Sequence, residues 1–131
     1  MPRRRPVREQ RTSQPVPQVA RLSAAATNAI AAFERDNFHP GAVARSFATW
    51  SRFVHGPARA IVGYQPDDCG CMGCEWGDPV TSRGVLAEAL RVLPGRSARE
   101  LRALVRPLDE LYLARSLPVP EHAHIRALLN A

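Results

Sequence analysis

Proline and glycine punctuate this chain at short intervals, and the stretches between the breaks carry apolar residues at helical spacing. The breaks fall at Phe38-His39-Pro40-Gly41, His55-Gly56-Pro57, Gly77-Asp78-Pro79, Pro94-Gly95-Arg96 and Leu117-Pro118-Val119-Pro120. Proline lacks the backbone donor that continues a helix, and glycine loses more freedom there than other residues, so each break ends one helix. The expected fold is all-α: a small bundle of four to five helices with one metal-stapled, cysteine-rich loop.

The first helix is predicted over residues 18–36, where Val19, Leu22, Ala26, Ala29, Ile30 and Phe33 share one face at about 100° per residue. The second is predicted over 41–54. Its Val43, Phe47, Trp50 and Val54 cluster within roughly 60°, with Phe53 beside them and Arg45 and Arg52 on the far side. This is the expected aromatic heart of the core. Residues 58–63 read as one further helical turn or an extended bridge.

A third main helix is predicted over 81–93, with Thr81 or Ser82 as N-cap and Val85, Leu86, Leu90 and Leu93 buried. The fourth opens on Ser97-Ala98-Arg99-Glu100, the pattern of a capping box in which serine and glutamate satisfy orphan backbone N–H groups reciprocally. Leu101, Leu104, Val105, Leu108 and Leu111 form its apolar face, and Pro107, inside this pattern, predicts a kink or a restart. A short last helix covers 121–131, carrying Ile125, Leu128 and Leu129.

Three cysteines fall within six residues, Cys69-Gly70-Cys71-Met72-Gly73-Cys74, and the chain has no other. Three thiols cannot all pair within one chain, and clustered cysteine in a reducing compartment points to metal or catalysis rather than to disulfides. The C-x-C-x-x-C spacing can set three thiolates on one tetrahedral zinc, with Gly70 and Gly73 permitting the tight wrap. Local candidates for the fourth ligand are Asp67, Asp68, Glu75 and Asp78; more distant ones are His55, His122 and His124. His55 is favoured, then Asp67, because His55 ends the helix that leads into the loop and completes a Cys3His set. Residues 64–80 otherwise hold few apolar side chains, so a bound metal would supply stability that a core cannot.

The pattern Asp67-x3-Cys71-x2-Cys74 resembles the H-x3-C-x2-C of zinc-binding anti-sigma factors, with Asp where that family carries His. The resemblance spans eight residues, departs at a ligand position, and implies no more than a zinc site. Cys71-Met72-Gly73-Cys74 is similar to the C-x-x-C of thioredoxin-like proteins, without the βαβ context of that fold. Nitrile hydratases use the reverse order of spacings. No family is recognised across the whole chain.

The net charge of +6 is unevenly placed, and every basic residue is arginine. Residues 1–21 carry +5, whereas residues 64–80 carry −4 and form the one acidic island. Residues 1–17 have no apolar period and read as a disordered basic arm ahead of a single helical domain over 18–131. Arg3, Arg4, Arg5, Arg8 and Arg11 of the arm, with Arg99, Arg102 and Arg106 on the fourth helix, are the candidate contacts to a nucleic-acid backbone. No aromatic residue lies in the arm, which argues against base stacking on single strands.

His122 and His124 would point about 160° apart on a helix, so shared metal ligation is not expected there and both are assigned to the surface. No glycine-rich phosphate loop and no Ser-His-acid spacing occur, which points away from an enzyme. The longest apolar stretch, residues 24–33, falls short of a membrane span. Residues 9–18 are polar where an export signal would be apolar, so the expected location is the cytoplasm. The expected function is that of a small zinc-binding adaptor or regulator, with structural zinc, that contacts protein or nucleic acid through its helices and basic arm. The alternative is a thiol redox switch or oxidoreductase using the same cysteines. The oligomeric state is left open.

Overall fold

A computed structural model describes residues 15–66 and 77–130. Its helices are α1 (Ala24–Asn37), α2 (Ala42–His55), α3 (Ala58–Val62), α4 (Pro79–Val92), α5 (Gly95–Arg115) and α6 (Ala123–Leu129), with a 3-10 turn over Pro120–His122. No strand occurs among the described residues, so the all-α class holds. The stretch 58–63 is resolved in favour of a helical turn.

The two amphipathic helices α2 and α4 make the most extensive pairing, and both pack on α5, which also receives α1 and α3. Trp50, Leu86, Leu101, Tyr112 and Ile125 are fully buried where these helices meet. The rings of Trp50 and Tyr112 lie 5.4 Å apart and those of Phe53 and Tyr64 lie 5.7 Å apart. Two tyrosines from outside α2 therefore extend the expected aromatic centre. No described helix is long and apolar enough to cross a membrane.

Several helix ends depart from expectation, and each departure has a side chain behind it. Helix α1 starts at Ala24 rather than at 18, because Arg21 turns the chain at φ 68° and Ser23 caps the helix. The Ser23 hydroxyl oxygen accepts from the Ala26 N–H at 3.1 Å. Val19 and Leu22 still pack against the core, but from this turn. Position N3 of α1 is Ala26, which cannot return a bond to the cap. Glu100 of α5 does so instead: its carboxylate accepts from the Ser23 N–H at 3.0 Å and from the Ser23 hydroxyl at 2.8 Å. The capping box expected at Ser97 and Glu100 is thereby overturned: α5 starts earlier, at Gly95, with Ser97 buried in its first turn.

Helix α2 has Gly41 at its N-cap, at φ 85°, so no side chain of its own can cap it. Buried Glu34 reaches across from α1 and accepts from the Val43 N–H at 2.8 Å. A carboxylate at a helix N-terminus satisfies an orphan donor and opposes the positive end of the helix dipole. Helix α4 starts at Pro79, not at 81. Its N-cap is Asp78, whose carboxylate accepts from the Thr81 N–H at 2.8 Å and the Thr81 hydroxyl at 2.9 Å. Proline suits the first helical position because its missing N–H would have had no helical partner.

Pro107 does not restart α5, which runs unbroken to Arg115. Ala103 and Pro107 are both exposed, so the carbonyl that loses its partner lies on the solvent side. The last helix begins at Ala123 after the 3-10 turn, later than the expected 121. Of the arm predicted over 1–17, residues 1–14 lie outside the described residues. Val16 and Pro17, at the inner end of that predicted arm, are exposed and lie beside Gly41.

Candidate functional site

Cys69, Cys71 and Cys74 lie outside the described residues, as do Asp67, Asp68 and Glu75. The residues that flank them are tied together. The Tyr64 hydroxyl donates to Asp78 Oδ1 at 2.5 Å, which clasps the two ends of the cysteine-bearing stretch. Asp78 also caps α4 through its other oxygen, so both oxygens of this ligand candidate are already engaged. Among the described residues, no three His, Cys, Asp or Glu side chains come together to hold a metal.

The histidine candidates separate clearly. His122 is buried, which overturns its assignment to the surface. It lies in the 3-10 turn, not on a regular helix, and its Nε2 sits 2.8 Å from the carbonyl oxygen of Tyr64. A carbonyl only accepts, so Nε2 carries the proton and Nδ1 keeps its lone pair. That Nδ1 is buried and has no hydrogen-bond partner among the described residues. His55 is exposed at the end of α2, and its Nδ1 lies 2.8 Å from the Ser51 carbonyl oxygen. The same reasoning leaves the lone pair of His55 on Nε2. His124 is exposed on α6.

A groove of about 500 Å³ opens between α2 and the start of α4. Phe38, Ala48 and Val85 give it an apolar lining, Thr49, Thr81 and Ser82 add hydroxyls, and no carboxylate lines it among the described residues. Among these residues its charge is basic, from Arg45 and Arg52, with His39 at one end. Arg45 is held in place by bonds of 3.2 Å to the Pro40 carbonyl oxygen and to His39 Nδ1. Phe38 is 42% exposed at this apolar site. The sequence placed Arg45 and Arg52 on the outer face of α2, but nothing in it marked that Phe38 and Val85 would close on that face. Val85, expected in the core, is only half-buried.

On the opposite side of α4, Arg83 is 1% exposed and forms a bidentate pair with Asp109 of α5, at 2.9 Å for each bond. Asp109 Oδ1 also accepts from the Trp50 indole N–H at 3.0 Å, so one carboxylate joins three helices. A second groove, of about 340 Å³, is lined by Arg83, Arg102, Arg106, Asp109 and Glu110. Of the arginines picked out on the fourth helix, Arg102 and Arg106 thus come together at this groove, while Arg99 is exposed and apart from it. The other nucleic-acid candidates, Arg3, Arg4, Arg5, Arg8 and Arg11, lie outside the described residues. Arginine and acid alternate on the outer side of α5, where Glu100 and Glu110 interrupt the basic run.

Among the described residues, pairing of the exposed Glu88 and Arg91 lowers the carboxyl pKa and raises that of the guanidinium, chiefly through the hydrogen bond between them, and Glu100 and Tyr112 are displaced as well. The hydrogen bonds from the Ser23 N–H and hydroxyl hold the Glu100 carboxyl below its ordinary range. Burial pushes the Tyr112 phenol above its ordinary value, against weaker opposing effects from Ser116 and Arg126. Comparison of the chain with protein-family models, with curated proteins and with solved structures returns no match.

Proposed function

We propose that this protein is a non-enzymatic binding module, an adaptor or regulator, and that its contact surface is the groove between α2 and α4. The proposed partner is a protein segment with an apolar face and acidic residues. The observation that carries this reading is the lining itself: apolar and hydroxyl side chains flanked by Arg45 and Arg52, without one carboxylate among the described residues. An amphipathic helix lays its apolar face in such a groove, and basic flanks steer an acidic one. A phosphate backbone has no apolar face to cover Phe38 and Val85, which favours protein over nucleic acid.

The test uses a synthetic amphipathic helical peptide with Leu and Phe on one face and Glu and Asp on the other. Calorimetric titration is expected to show saturable binding to the full chain. Thr49→Trp, which fills the groove, and Arg52→Glu are each expected to weaken binding by about tenfold. Equal binding of a peptide with Lys and Arg in place of the acids, or preference for a DNA duplex over the acidic peptide, contradicts the proposal.

The cysteines are proposed to hold one structural zinc through Cys69, Cys71 and Cys74, with His122 or His55 as fourth ligand. The clasp of Tyr64 on Asp78 and the bond from His122 to Tyr64 support this reading. A metal-ligating histidine typically donates its other ring N–H to a carbonyl or carboxylate, as both histidines do. Metal content and thiol titration test it: one zinc per chain, with thiols released only by chelator, is the expected result. Metal-free protein whose thiols cycle between free and paired supports the redox alternative instead. His122→Ala and His55→Ala, each assayed for zinc retention, distinguish the two ligand sets.

A further inference from the structure

The geometry points to a second binding site, an oxyanion pocket built on Arg83 at the α4–α5 groove, which takes a small molecule bearing a phosphate or carboxylate group. Arg83 spends its Nε–H and one Nη2–H on Asp109. Asp109 is thereby neutralised, and its Oδ1 is further occupied by the Trp50 indole. A guanidinium has five N–H donors. The two on Nη1 are buried and have no acceptor among the described residues. Buried donors in native proteins almost always find a partner, and a charged group left short of one is costly.

Arg83 also lines the groove of about 340 Å³, and Arg102 and Arg106 stand one helical turn apart beside it. Neither forms an ion pair among the described residues. With Asp109 neutralised by Arg83, Glu110 is the one remaining acid among the described residues of the lining, against Arg102 and Arg106. The described lining is therefore net positive. Leu113, which is 42% exposed, and Leu129 offer apolar contact to the rest of such a molecule. Planar donor forks match the oxygens of phosphate and carboxylate groups.

The experiment follows the arginine side-chain N–H resonances of the full chain by NMR during titration with inorganic phosphate, with sodium acetate, and with sodium chloride at matched ionic strength. Saturable shifts of the Arg83 signals with phosphate or acetate, absent with chloride, are expected. The stronger of the two anions assigns the ligand as phosphate- or carboxylate-bearing. Arg102 is half-buried and Arg106 exposed, so the Arg102→Gln/Arg106→Gln double variant retains the fold; it is expected to weaken anion binding by about tenfold or more. Shifts no larger than those with chloride, or unchanged affinity in the double variant, overturn the proposal and leave Arg83 Nη1 to an ordinary buried water.

Discussion

Glu100 on α5 accepts both the backbone N–H and the hydroxyl of Ser23, at 3.0 and 2.8 Å, across 77 residues of chain. The relationship closes the start of α1 from outside. In a local capping box the cap and the returning glutamate belong to the same turn; here α1 supplies the cap and α5 the glutamate. Glu34 closes the start of α2 from α1 in a similar way. The starts of α1 and α2 are thus held by side chains from other helices, whereas α4 is capped locally by Asp78, and for α1 and α2 secondary structure and packing should be lost together.

Removing the cap should be measurable. Ser23→Ala is expected to lower stability by about 1 kcal/mol, the usual cost of losing a serine N-cap, read by urea denaturation. Glu100→Gln tests the charge. Because the folded Glu100 pKa is lowered, its contribution is present above the unfolded carboxylate value and is lost as pH falls through the folded one. The wild-type thermal midpoint should fall through the acid range more steeply than that of the variant. Parallel curves contradict this role.

Gly41 is needed twice over. It sits at φ 85°, and a Cβ there would come within 2.8 Å of the Pro17 ring. Gly41→Ala is expected to cost more than about 1 kcal/mol. Gly84, where a Cβ would meet nothing within 4 Å, is the control, and Gly84→Ala should be neutral or stabilising within α4.

Asp109 compensates a buried arginine. Asp109→Ala leaves Arg83 charged, buried and unpaired, and a loss of about 3–5 kcal/mol is expected by chemical denaturation. The loss should be accompanied by a change in Trp50 fluorescence, because the indole N–H loses its acceptor. A change below about 1 kcal/mol would mean that Arg83 swings to water at little cost.

Tyr112 is expected to contribute to the pH dependence of stability on the alkaline side. Its folded pKa is raised by burial, so the protonated phenol favours the folded state below the unfolded value. That contribution is lost as pH rises from the unfolded pKa through the folded one. The wild type should lose stability as pH rises past about 10, and Tyr112→Phe should lose less. Identical alkaline profiles would show that Tyr112 ionises as readily folded as unfolded.

Helix centres were legible in the sequence because burial imposes a period that apolar residues record. Trp50, Leu86, Leu101, Val105 and Leu108 all lie in the core as their spacing indicated. Helix ends were less legible, because their partners lie far away in sequence. Nothing near Gly41 announces Glu34, and Glu100 has a suitable local serine that it does not use. Arg83 reads as one more solvated arginine until Asp109 meets it, 26 residues later. His122 was misplaced because the spacing to His124 was judged on a regular helix, whereas Pro120 opens a 3-10 turn that directs the ring inward. Of the groove, only the outward Arg45 and Arg52 could be read, since its other wall comes from α4.

The most direct measurement is an NMR titration of the full chain with the acidic amphipathic peptide, following backbone amides. Saturable shifts confined to Phe38, Ala42, Thr49, Thr81 and Val85, lost in Arg52→Glu, are the expected result. Binding that shifts the α5 arginine face instead, or shifts indifferent to Arg52→Glu, would contradict the groove as the contact surface.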